Sequence, residues 1–132
     1  MIHLLDANTC IKFLNGRSDS IRRRLEAERP ENVALCSVVK AELFYGAFKS
    51  ARPVENLDRL RAFFEKFVSY SFDDAATESY GAIRARLERA GTPIGPNDLF
   101  IAAIALSRGA TLVTNNTREF SRVPNLLLED WS

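Results

Sequence analysis

The sequence predicts an α/β fold with a mostly parallel sheet covered by helices on both faces, and three observations lead there. Short apolar runs of β-favouring residues end abruptly in polar ones. Longer stretches with helical spacing separate these runs, and parallel strands need such crossovers. The segment from Pro96 to Leu106 is apolar on nearly every side, as a helix in a domain interior must be.

Along the chain, Ile2 to Leu5 is the first strand, ending at Asp6, and helical patterns follow over Asn8 to Asn15 and Ser20 to Glu28. Val33 to Cys36 is the second strand. Ser37 then offers a helix N-cap ahead of Val38 to Lys49. Val54 to Phe67 is helical, Val68 to Phe72 extended. In Ala75 to Ala90, Tyr80, Ile83 and Leu87 recur at helical spacing, and Gly91 stands where a helix stop belongs. After the Pro96 helix, Thr111 to Thr114 is a buried strand and Leu126 to Leu128 a shorter one.

With 132 residues the chain fits one domain, 1–132, large enough to bury a core without staples. Its 46% hydrophobic and 27% charged residues argue against disorder. Cys10 and Cys36 lack zinc spacing and sit in apolar contexts, which suits a reducing, cytoplasmic setting. Neither a signal segment nor a membrane span is expected, since no apolar run approaches membrane length. The net charge of +1 gives no global field for nucleic acid. Beside Lys12, Lys40, Lys49 and Lys66 the other basic residues are arginines, whose planar fork suits phosphate, although groups such as Arg84, Arg86 and Arg89 fan around a helix as a solvated face does.

In parallel sheets the ligand crevice lies at the carboxyl ends of the strands. Asp6 follows the first strand directly, and Thr114, Asn115 and Asn116 follow the Thr111 strand in the same way. Glu42 lies on the helix after the second strand, flanked by core formers Val39 and Leu43. Asp98 opens the apolar helix, where it serves either as a cap for free backbone N–H groups or as a site acid. Glu119 follows Asn116 by three residues. Carboxylates share a small volume only if some protonate or a cation neutralises them. Oxygen-only ligands favour Mg²⁺ or Mn²⁺ over zinc, and such an ion promotes hydrolysis of phosphoester bonds.

Four ordered motifs resemble the PIN-domain ribonucleases, and among them the VapC toxins of bacterial toxin-antitoxin pairs. They are Leu5-Asp6-Ala7-Asn8-Thr9-Cys10-Ile11, Ser37 to Gly46 with Glu42, Gly91 to Asp98, and Leu112 to Phe120 together with Glu129-Asp130-Trp131. The resemblance runs nearly end to end. It implies a three-layer α/β/α domain and an Mg²⁺-dependent endoribonuclease, with Mn²⁺ able to substitute. By the same resemblance Asp6, Glu42 and Asp98 are metal-binding and catalytic acids. Many members carry an aspartate where this chain has Asn116; here the resemblance points to Glu119 as the fourth catalytic acid. Asn8, Thr9, Ser37, Thr114 and Asn116 are then polar supports around the carboxylates. The implied substrate is RNA, with the anticodon stem-loop of initiator tRNA a candidate. The implied partners are a second copy of the chain and a cognate antitoxin lying across the acidic groove, through which alone operator DNA is met.

Other classes fit less well. A receiver domain needs a lysine after a late strand, and none follows Thr111 to Thr114. An aspartate-nucleophile phosphatase wants a second Asp where Asn8 stands. No phosphate loop of the GxxxxGK[ST] kind occurs. His3, the sole histidine, lies inside a strand pattern, which argues against histidine-based cleavage. The remaining alternative keeps the fold and loses the chemistry: a catalytically weak binding partner acting with an antitoxin at operator DNA.

Overall fold

In a computed structural model describing residues 1–132, five short strands run parallel in one sheet. They are β1 (His3–Leu5), β2 (Val33–Cys36), β3 (Val68–Tyr70), β4 (Thr111–Val113) and β5 (Leu127–Glu129), side by side in the order β3-β2-β1-β4-β5. The sheet is wholly parallel, where a mostly parallel one was expected. His3 stands opposite Val33 on one side and Thr111 on the other. Every residue of β1, β2 and β4 is buried, so both faces of the central sheet are covered, giving the three-layer α/β/α arrangement. The edge strands β3 and β5 are partly exposed.

The helices are α1 (Ala7–Leu14), α2 (Asp19–Ala27), α3 (Ser37–Lys49), α4 (Pro53–Phe64), α5 (Asp74–Arg89), α6 (Pro96–Arg108) and α7 (Thr117–Phe120). Three are capped as their sequences dictate: Asp6, Ser18 and Asp73 each accept a backbone N–H from three residues on. Ser37 is not a cap, because the helix has already begun there and Cys36 holds the cap position. The helical pattern through Phe67 stops at Phe64, since residues from Val68 are drawn into β3 beside β2. A 3-10 turn at Pro30–Asn32 and the short α7 were not foreseen.

Helix α6 behaves as its composition requires. Leu99 and Ile101 to Ala105 are buried, with Ala102, Ala103, Ile104 and Ala105 inaccessible to solvent. Each large apolar side chain so buried contributes roughly 1.5–3 kcal/mol. The helix ends at Gly109, whose φ of 62° is a left-handed stop that L-residues resist. One core joins all layers, from Leu4 and Leu5 through Ile104 and Leu112 to Trp131. Phe63 and Phe64 are buried in it, and with Phe67 they stack among themselves and against Phe13 and Phe44 at its edge.

Candidate active site

The chain order places a topological switch at the centre of the sheet. From β1 the chain steps outward to β2 and β3, then returns to the other side of β1 for β4 and β5. Crevices of parallel sheets open at such a point, beyond the carboxyl ends of the two strands. Asp6 closes β1 there and is hydrogen-bonded to β4 through its N–H to the Val113 carbonyl, 3.1 Å.

Asp6 then serves as the cap of α1. Its Oδ1 accepts the Thr9 N–H at 2.8 Å, while the Thr9 hydroxyl donates to the Val113 carbonyl at 3.3 Å. One carboxylate thus joins strand, helix and neighbouring strand, and it is only 6% exposed. A cleft of about 130 Å³ opens beside it, lined by Asp6, Asn8, Glu42, Asp98 and Asn116 over a floor that includes Ile101 and Phe120. No lysine or arginine lines it.

Asp98 does not cap α6. The cap position belongs to Gly95, with no side-chain bond, and Asp98 sits in the first turn facing the other acids. Burial pushes its carboxyl above the ordinary range, and the charges of Glu119, Glu42 and Asp6 push it further. Glu42, half-buried on α3, is raised first by burial and then by Asp6, with the Asn97 amide beside it holding against the rise. These shifts have the sign of carboxylates crowded without a counter-ion.

Of the remaining candidates, Thr114 is fully buried, and its Oγ1 accepts the Asn116 N–H at 3.0 Å. The Asn116 amide Nδ2 donates to Glu119 Oε2 at 3.3 Å. Asn8 is exposed at the rim. Ser37 lies on the far side of Glu42, in the adjoining groove with Asn97, exposed and bonded to none of the carboxylates. His3 is packed between β2 and β4, its ring 5.4 Å from that of Trp131 and its Nε2 3.5 Å from Glu129. It stands at the opposite end of β1 from Asp6. Two contacts escaped the sequence reading. The Asn97 amide adjoins Glu42, and the Arg122 guanidinium bonds the Pro93 carbonyl at 3.0 Å, tying the approach to α6 to the segment after α7. Asn97 could have been suspected from its place beside Asp98; Arg122 left no signal.

No three acids close on one another as a finished metal cage. The donors are nonetheless all oxygen, uncompensated by any cation, and open to solvent. That suits a hard divalent ion, which binds through one or two carboxylates and keeps several waters. The site therefore has the character of a metal-dependent phosphodiester hydrolase.

Comparisons with known proteins agree. Residues 3–126 match the PIN domain. Ribonuclease VapC2 of Rickettsia felis is 43% identical over 132 residues, covering 99% of this chain and 98% of that protein. The tRNA(fMet)-specific endonuclease VapC of Salmonella typhimurium is 41% identical over 128 residues, 97% of this chain and 96% of that one. The crystal structure of VapBC2 from Rickettsia felis, bound to a promoter DNA fragment, superposes with a TM-score of 0.93 at 42% identity over the whole of both chains. The chain belongs to the PIN-domain family, among the VapC endoribonucleases. PIN-domain ribonucleases work with divalent metal ions.

Proposed function

We propose that this protein is the toxin of a toxin-antitoxin pair and cleaves initiator tRNA in its anticodon stem-loop, using Mg²⁺ with Mn²⁺ able to take its place. The observation that carries the chemistry is the cleft at the β1–β4 switch, where Asp6, Glu42 and Asp98 meet with no basic side chain among them. The tRNA target rests on relatives at 41% and 43% identity that are tRNA(fMet)-specific endonucleases.

Asp6, Glu42 and Asp98 would hold the ion. When bound, it supplies positive charge to the phosphate in the transition state and lowers the pKa of water. Asp6 is pre-positioned by its bond to Thr9, and Asp98 by the buried helix behind it. Glu119, beside the cleft, accepts the proton of the attacking water, whose in-line attack leaves 5′-phosphate and 3′-hydroxyl ends. Thr9, Thr114 and Asn116 hold the carboxylate-bearing segments in place; Asn8 and Ser37 border the path of the RNA.

The chain acts as one domain around one core. No helix is long and apolar enough to cross a membrane, and both thiols are free and buried, which supports a cytoplasmic site of action. Exposed Tyr45 and Phe48 continue the Val38 and Ala41 face of α3, an apolar stripe that suits a second copy of the chain. A cognate antitoxin is proposed as the other partner, a pairing supported by the DNA-bound VapBC complexes of relatives; it would contact operator DNA itself and lay a cationic segment over the acids, whose uncompensated charge suits a guanidinium. The purified protein, given total tRNA in Mg²⁺, is expected to nick initiator tRNA alone. Chelation and Asp98→Ala should each abolish the cut. Cleavage that survives both would overturn the reading, and cuts spread across all tRNAs would overturn the target.

A further inference from the structure

The sequence Asn116-Thr117-Arg118-Glu119 has the form of a capping box, in which a cap side chain and an acid three residues on bond reciprocally to backbone N–H groups. The structure shows neither bond. Asn116 occupies the cap position of α7, yet its side chain caps nothing. Its backbone N–H, the partner a box would give to Glu119, is taken by Thr114 Oγ1 at 3.0 Å. Thr114 is itself fully buried and held through its N–H to the Glu129 carbonyl of β5 at 2.9 Å. Glu119 is thereby released from its usual local partner. The Asn116 amide engages it instead, Nδ2 to Oε2 at 3.3 Å, leaving Oε1 without a protein partner.

We infer that Asn116 is a positioning residue for Glu119: the diverted capping box turns the Glu119 carboxylate toward the catalytic cleft, and the amide acts through that carboxylate rather than as a ligand of the metal. The inference rests on the reading of Glu119 as proton acceptor. It also accounts for an amide at 116. An aspartate there would set a fifth carboxylate against Glu119 and lose the N–H that holds it, in a cleft already short of positive charge.

The experiment is a double-mutant cycle of Asn116→Ala and Glu119→Gln in the full chain, with kcat and KM for tRNA cleavage and Mn²⁺ affinity by calorimetry. Glu119→Gln should lower kcat by about a hundredfold or more. Asn116→Ala should lower kcat about tenfold or more with KM and Mn²⁺ affinity unchanged, as a misplaced group does. In the Glu119→Gln background the same substitution should have no further effect on kcat. Full activity in Glu119→Gln would overturn the underlying role of Glu119. Losses that multiply would leave that role standing and overturn the inference. Asn116→Asp gives the sharpest contrast: reduced kcat without tighter Mn²⁺ binding supports positioning, whereas tighter binding with activity retained would make residue 116 a metal ligand.

Discussion

Asp98 is a carboxylate that opposes stability where it stands, and in the proposed mechanism it serves the chemistry. Its charge is half-buried among three other acids, and burial first, then the charges of Glu119, Glu42 and Asp6, disfavour its ionisation. Asp98→Asn keeps the shape and removes the charge, so the metal-free variant should melt about 2–4 °C above the parent at neutral pH. Its RNA cleavage should fall at least about a hundredfold. Added Mn²⁺ should raise the parent's Tm far more than the variant's, since a ligand stabilises only the fold that binds it. A variant that melts lower than its parent without metal would mean that Asp98 has a compensating partner.

The C-terminal strand and its hook make a different electrostatic statement. Glu129, on β5, accepts the Trp131 indole N–H and the Arg24 guanidinium, both at 2.9 Å, with His3 nearby. The Trp131 bond first, then His3 and Arg24, hold its carboxyl below the ordinary value of 4.5 despite partial burial. A depressed folded pKa stabilises above the unfolded pKa and stops doing so as pH falls through the folded one. Glu129→Gln should therefore melt lower than the parent at pH 7, with the gap closing below about pH 4; a constant gap from pH 7 to 3 would show that charge plays no part. Elements of this kind separate what periodicity reveals from what it hides. Tyr80, Ile83 and Leu87 announced α5, and Gly91 its end, because sixteen residues give a period room to repeat. Four residues do not, so α7 went unseen and with it the bond from Asn116 to Glu119. Asp98 was open to two readings because an acid in a first helical turn looks the same in sequence whether it accepts an N–H or faces a cleft. Asp6 was readable because the strand ends of a parallel sheet share one edge, whereas Glu42 and Asp98, carried on helices, were assigned through the family resemblance.

For the whole molecule, the same fold presents two unlike surfaces. One is the acidic crevice at the switch of the sheet; the other is the α3 face on which Tyr45 is 65% and Phe48 64% exposed. Phe48→Glu should convert a dimer to a monomer in light scattering while leaving Tm within about 1 °C at equal protomer concentration below the dimer's Kd, because the side chain touches little of its own core. A monomeric parent would remove α3 as the dimer face.

Asp6 caps α1 with an oxygen of the same carboxylate that would bind metal. The Thr9 amide consequently reports on the active site from inside the backbone. Its hydrogen-exchange rate should change when a divalent ion draws charge from that oxygen, and should rise sharply in Asp6→Ala, which loses a cap worth about 1 kcal/mol. Occupancy of the catalytic centre becomes measurable at a single N–H, with no RNA present.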